Sequence, residues 1–211
     1  MMTAEYIGQS LRAKGASRDD WITLSGGNPA LFVDEALVDE LVHTQGFRLA
    51  METQGSVDLK DHVSQDIECL VVSPKPPSSG MHTRFKLETV IDLLYERMSS
   101  QVTAVKFVAF NAEDLDWCHL RHMEIVSEQH RLYKGMMVVE DVQWFLSVGT
   151  PLQIINDSPE DLDQIEAVRL EVCKNLSRTW LATLDDPFHR FRDFRILPQL
   201  HTLVWGQKAG V

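Results

Sequence analysis

Short apolar runs alternate along the chain with longer stretches whose apolar residues recur at helical spacing. Trp21 to Leu24 is a β-rich run stopped by Ser25-Gly26-Gly27-Asn28-Pro29, after which Leu37 with Leu41 and Val38 with Val42 stand at i, i+4 before Gly46. That is the stripe of an amphipathic helix closed by a glycine. Phe47 to Glu52 alternates apolar and polar positions and breaks at Gln54-Gly55, and Ile67 to Val72 is an apolar run ending in Ser73-Pro74-Lys75-Pro76-Pro77-Ser78-Ser79-Gly80. Prolines without an amide hydrogen exclude that last segment from helix and central strand. Leu87 to Met98 carries Leu87, Ile91, Leu94 and Met98 on one helical face, Ala104 to Phe110 reads as the next strand, and Asn111 suits the N-cap of a helix through Trp117. Trp144 to Val148 is a last short apolar run, ending in Gly149-Thr150. Ser158-Pro159-Glu160-Asp161 then opens a helix expected to reach about Leu184: a cap hydroxyl, proline at the first position, and acids where the helix dipole favours them.

Strands separated by helices need right-handed crossovers, which predicts an α/β fold with a mainly parallel sheet, either an open layer or a partial (β/α) barrel. In both, ligands sit at the carboxyl ends of the strands. Four polar tips fall at that edge: Ser25 to Pro29, Glu52 to Gly55, Ser73 to Lys75, and Ser147-Val148-Gly149-Thr150. No linker, repeat or low-complexity tract divides residues 1–211, so a single domain is expected.

Charge narrows the function. Twenty Lys and Arg against 31 Asp and Glu give a net charge of −11, so no broad basic face is expected, and duplex DNA or RNA is excluded as the natural ligand class. The apolar runs are too short to span a bilayer, and the start Met-Met-Thr-Ala-Glu-Tyr has neither a basic nor an apolar leader region. A cytoplasmic protein with no membrane partner is the expectation. A chain of 211 residues with 44% hydrophobic content can bury one sizeable core without staples. Cys69, Cys118 and Cys173 stand far apart and odd in number, which excludes short-spaced zinc or iron–sulfur loops and suggests buried free thiols.

Several residues carry candidate chemistry. Gly26 and Gly27, lacking Cβ atoms, let backbone amides approach an anionic group, with the positive end of the following helix nearby; an ordinary tight turn accounts for the same residues. The spacing matches neither a dinucleotide fingerprint nor a P-loop. Ser73-Pro74-Lys75 places a hydroxyl and a cation on a stiff backbone at a strand exit, fit to hold a polar ligand with little entropy left to lose, or simply to form a rigid surface loop. Ser25 lacks the G-x-S-x-G setting of a hydrolase nucleophile. His119 and His122 at i, i+3 with Glu124 nearby could ligate a metal, but a solvated helical face suits so polar a stretch better.

Taken in order, Ser25 to Leu31, Glu52 to Gly55, Ser73 to Ser79, Val105 to Val108 with Asp114-Leu115, and Leu197 to His201 through Trp205 to Val211 resemble successive blocks of the 7-carboxy-7-deazaguanine synthase family, radical S-adenosylmethionine enzymes. The resemblance is weakest over 124–143 and 157–192. It implies a partial (β/α) barrel that rearranges 6-carboxy-tetrahydropterin, with loss of ammonia, into 7-carboxy-7-deazaguanine, a step toward queuosine and other 7-deazapurines. It also implies S-adenosylmethionine, a four-iron four-sulfur cluster and Mg²⁺ as cofactors, and a homodimer. Carried over by position, Gly27 and Ser73, Pro74 and Lys75 match S-adenosylmethionine contacts, as do Ser147, Val148, Gly149 and Thr150, where Ser147 replaces the family's usual Gln. Ser25 and Val211 match substrate contacts. The chain begins past the family's first strand, so the three-cysteine cluster loop and the Mg²⁺-binding threonine have no counterpart, and no metal ligand is expected within residues 1–211. Two readings follow: the carboxyl-terminal portion of such an enzyme, active with a cysteine-bearing N-terminal segment supplied in trans, or a degenerate binding protein that keeps the barrel wall without radical chemistry.

Overall fold

The computed structural model describes residues 2–95, 101–132, 142–149 and 190–198, with the single positions 170, 174 and 178. Helix α1 (Ala4–Ala13) starts at Thr3, whose hydroxyl accepts from the Tyr6 amide at 3.2 Å, filling one of the amide donors a helix start leaves open. Strand β1 (Trp21–Leu24) follows. Helix α2 (Glu35–Val38) is capped by the Asp34 carboxylate on the Leu37 amide at 3.0 Å and continues as a wider π-type turn, Asp39–Thr44. Gly46 ends it with φ of 70°, a left-handed angle that side chains with a Cβ rarely adopt.

Next come β2 (Arg48–Thr53), α3 (Asp61–Asp66), β3 (Ile67–Val72), α4 (Leu87–Tyr95), β4 (Val102–Ala109), α5 (Ala112–Leu132), β5 (Val142–Val148) and β6 (Phe194–Pro198). The strands form one open, all-parallel sheet in the order β1-β2-β3-β4-β5-β6, the layout of a partial β/α barrel. Trp21 lies opposite Arg48 and Leu24 opposite Met51, Thr53 opposite Val72, Cys69 opposite Val102, and Trp144 opposite Phe194. The β2–β3 register shifts between Leu49 and Ala50.

By its contacts the chain divides into two compact units, one of Met1–Pro74, Arg84–Val105 and Glu124–Gln143, the other of Lys75–Thr83, Lys106–Met123 and Trp144–Val211. In the first, alternate residues of β2 turn Leu49, Met51 and Thr53 inward, where they join Ile67, Leu70 and Val72 of β3 in the buried set with Val38, Leu41, Val63, Val90 and Ile91 from the helices. Each such aliphatic side chain contributes about 1.5–3 kcal/mol by leaving water. In the second, Phe107, Leu146 and Val148 are buried, with Trp144, Phe191 and Phe194 closing an aromatic cluster.

The strands begin and end close to where hydropathy puts them, and the differences have physical causes. Helix α5 runs to Leu132 rather than stopping at Trp117. Its buried stripe continues through Asp114, Cys118, His122, Ile125 and Gln129, at helical spacing but with three polar members that conceal it from a hydropathy reading. Helix α1 carries a short stripe of Ala4, Ile7, Gly8 and Leu11, of which only Gly8 is buried and the others are half-buried. Strand β6 lies beyond the apolar run Trp144 to Val148 and escapes a hydropathy pattern, because Arg195 and Pro198 interrupt it. Met98 lies outside the described residues, as does the helix expected from Ser158 to Leu184 except for Leu170, Lys174 and Arg178, which are helical. No helix among the described residues is long and apolar enough to cross a membrane.

Candidate functional site

In the first unit the carboxyl ends of β1, β2 and β3 lie side by side, since the Ser73 amide donates to the Thr53 carbonyl at 2.7 Å just past the paired strand ends. Past Leu24 the chain turns through Ser25, Gly26 and Gly27, all exposed. Gly26 has φ of 88° and Gly27 of 59°, and a Cβ on either would meet no atom within 4 Å. The backbone angle, not crowding, demands glycine here, and the tip leaves open space for a ligand to approach its amides. The positive helix end expected beside it is not there: Pro29–Leu31 is a single 3-10 turn, and α2 starts only at Glu35.

Asn28 anchors the tip. Its side chain is buried, and its Oδ1 accepts from the Thr53 hydroxyl at 2.8 Å and the Gln54 amide at 3.3 Å. Its Nδ2 donates to the Ser56 hydroxyl at 3.1 Å, and Gln54 Nε2 reaches the Gly27 carbonyl at 3.3 Å. Gly55 completes the second loop where a Cβ would stand 2.6 Å from Val72 Cγ1. Ser73 and Pro74 are buried at the exit of β3. Ser25, Gly27, Ser73 and Pro74, singled out from the sequence, thus share one strand edge of this unit.

The second unit begins at Lys75, which is half-buried. The turn Pro77–Ser79 after it is tied to the start of α5 by Asp114, whose carboxylate is wholly buried. Asp114 Oδ1 accepts from the Ser78 amide at 3.1 Å, and Oδ2 accepts from the Ser78 hydroxyl and from the Phe110 amide at 2.9 Å. Asn111 caps α5 as the sequence suggested, its Oδ1 taking the Asp114 amide at 2.9 Å. At the end of β5 the structure corrects the expected polar tip. Ser147 and Val148 lie inside the strand, buried and opposite Leu197 and Pro198, so the loop starts only at Gly149. The Gly149 amide donates to the Ala109 carbonyl at 2.8 Å, and a Cβ there would collide with the Phe110 ring. Thr150 and Val211 lie outside the described residues.

The solvated face expected at His119 and His122 is also overturned. His119 is half-buried, and His122 is buried with its ring 4.4 Å from that of Trp144 and 4.9 Å from that of Phe194. Burial pushes the His122 pKa down to about 4, Asp193 opposing and His119 adding to the shift, so the ring is neutral at pH 7. Among the described residues no group of three or more His, Cys, Asp or Glu could hold a metal ion.

The thiols do not fit an iron–sulfur cluster. Cys69 sits within β3, and Cys118 is buried in α5, where burial first and the Asp114 carboxylate second push its pKa far up; cluster ligands are close-set thiolates. Cys173 lies outside the described residues. Reading the tips for glycine and lysine missed Asn28, Thr53 and Asp114 as the residues that hold them. The alternation of β2 carries a signal for one: Thr53 falls in phase with the inward Leu49 and Met51, a polar residue on a core face.

An open parallel sheet with hydrogen-bonded loops at the carboxyl ends of its strands defines an α/β protein of the partial-barrel class, whose ligands bind at that edge. No protein-family model matches the chain. It is 35% identical over 211 residues to the 7-carboxy-7-deazaguanine synthase of Bacillus subtilis (strain 168), covering 100% of this chain and 76% of that protein. It is 32% identical over 210 residues to the enzyme of the same name from Bacillus cereus, with the same coverage, and 37% identical over 121 residues to that of Bradyrhizobium diazoefficiens, there covering 51% of this chain and 55% of the relative. The chain belongs to the 7-carboxy-7-deazaguanine synthase family.

Proposed function

We propose that the chain forms 7-carboxy-7-deazaguanine from 6-carboxy-tetrahydropterin with loss of ammonia, as a radical S-adenosylmethionine lyase in queuosine and 7-deazapurine biosynthesis. The observation that carries this is the match along the whole chain to two synthases of that name. Gly27, with the buried Ser73 and Pro74, would hold S-adenosylmethionine; Lys75 and Gly149 match contacts of the same cofactor by the family resemblance. The exposed, left-handed glycine tip favours this assignment, because amides without Cβ cover can approach the charged end of such a ligand. S-adenosylmethionine would supply the hydrogen-atom acceptor of the reaction; the chain's own residues bind and orient it. Ser25 would touch the pterin.

Because Cys69 and Cys118 do not fit a cluster site, the four-iron four-sulfur cluster and Mg²⁺ on this reading are held by a cysteine-bearing segment additional to these 211 residues. A homodimer in the cytoplasm follows from the family resemblance. The test is anaerobic incubation of the chain with a family N-terminal segment carrying the cysteine triplet, reductant, S-adenosylmethionine and carboxypterin, followed by mass spectrometry. Product from the mixture and none from the chain alone is expected. A soluble, cluster-loaded mixture that makes no product would overturn the activity, and turnover by the chain alone would overturn the division of the site.

A further inference from the structure

The Gly26-Gly27 tip has a problem of its own. Two successive glycines at positive φ, exposed and touched by nothing at their Cβ positions, form the most flexible kind of backbone, and fixing them costs conformational entropy. A ligand that had to order the tip on arrival would bind more weakly for it. The next residue removes the difficulty. Asn28 is buried, and its carboxamide makes three hydrogen bonds to the end of β2 and the loop after it: with the Thr53 hydroxyl, the Gln54 amide and the Ser56 hydroxyl. Gln54 then returns a bond to the Gly27 carbonyl.

We propose that Asn28 is a positioning residue that pins the glycine tip to the carboxyl end of β2, pre-ordering it for S-adenosylmethionine. The inference rests on the cofactor assignment above. Only a side chain with an acceptor and a partner for a hydroxyl at this length satisfies the site: the oxygen takes two donors, and the nitrogen faces a hydroxyl that can either give or accept. Aspartate keeps all three contacts if the Ser56 hydroxyl turns to donate, whereas leucine has the same bulk and keeps none, stranding the buried Thr53 hydroxyl without its acceptor. Asn28 does not itself touch the ligand on this account, so a merely structural role would lower stability and leave binding by the folded protein unchanged.

The experiment compares the full chain with its Asn28→Leu, Asn28→Asp and Thr53→Val variants, each mixed anaerobically with the cluster-loaded N-terminal segment that the cofactor assignment requires. Calorimetric S-adenosylmethionine affinity, ¹⁵N order parameters at Gly26 and Gly27, and urea unfolding are read on each. Asn28→Leu should weaken binding by about tenfold or more and lower both glycine order parameters, while Asn28→Asp should stay near the parent in both. Thr53→Val, which keeps the packing, should move both readouts in the same direction by a smaller factor and serves if the leucine variant fails to fold. Parent-like affinity and order in Asn28→Leu or Thr53→Val, with the parent binding normally, would overturn the positioning role. Absence of binding by the parent would overturn the cofactor assignment instead, and the glycine order parameters would still decide whether Asn28 pins the tip.

Discussion

Replacing Asp114 with Asn exchanges a carboxylate oxygen for an NH₂ group at a place where every partner donates. The three donors are the Ser78 amide on Oδ1 and the Ser78 hydroxyl and Phe110 amide on Oδ2. The new NH₂ group will take the Oδ1 side, because there it opposes only the Ser78 amide, on an exposed residue that water can serve, whereas the Oδ2 side carries two bonds. One charge-assisted bond is lost and the others weaken, which costs about 1.5–2 kcal/mol. Asp114→Ala removes all three and leaves the Phe110 amide without an acceptor, for about 3–4 kcal/mol. Urea unfolding followed by tryptophan fluorescence gives the difference, and for a chain of this length the Asn variant should melt about 5 °C lower. Asp114→Glu should not rescue, since a longer side chain cannot sit in a fully buried site without displacing its neighbours. An Asn variant within about 0.5 kcal/mol of the parent would refute the reasoning, showing that the turn at Pro77–Ser79 is held by its own backbone instead.

His122 links stability to pH. Its folded-state pKa, near 4, lies below the ordinary 6.5 of the unfolded chain, so the unfolded state binds the extra proton; stability is full above pH 6.5 and is lost as pH falls from there to about 4, by on the order of 2–3 kcal/mol. Unfolding titrations of His122→Phe should show that loss much reduced, and an unchanged pH profile would exclude His122 as its source. Gly149→Ala drives a methyl into the Phe110 ring and should cost about 1–3 kcal/mol, largely recovered in the double variant with Phe110→Leu; equal losses in both would place the strain elsewhere. In a Cys69→Ser, Cys173→Ser background, Cys118 should resist iodoacetamide at pH 8 until urea unfolds the chain, since its thiol is buried and its pKa raised. Rapid native labelling counts against that.

Strands β1 and β3 were legible because each is a short run of β-formers soon followed by glycine or proline: Trp21 to Leu24 before Gly26 and Ile67 to Val72 before Pro74 need no tertiary information to be found. Helix α5 was half legible, because hydropathy treats Asp114, His122 and Gln129 as solvent-facing. Burial of these three depends on partners far along the chain, Ser78 for Asp114, Trp144 and Phe194 for His122, and Tyr95 for Gln129 at 2.7 Å, and no local pattern announces them. The glycine tip could be read from Gly26-Gly27, while the Asn28 anchor could not, since asparagine before proline is ordinary loop punctuation until Thr53 and Ser56 arrive from β2 and its loop. Ser147 shows the opposite error: a small polar residue two before a glycine reads as part of a polar tip, yet it lies within β5 and is buried although out of phase with Trp144, Leu146 and Val148.

The strand order has a consequence for how the chain comes off the ribosome. Among the described strands each neighbour in the sheet is also the neighbour in sequence, so β2 can dock on β1, and β3 on β2, as soon as each crossover has emerged. Such growth keeps contacts local and avoids the slow closure of large loops. The exception is the last step, where β6 pairs with β5 across the long interval from Val148 to Phe194. Until Phe194 arrives, Trp144 and the neutral His122 ring lack one wall of their aromatic box, so these rings are fully covered only once β6 has docked.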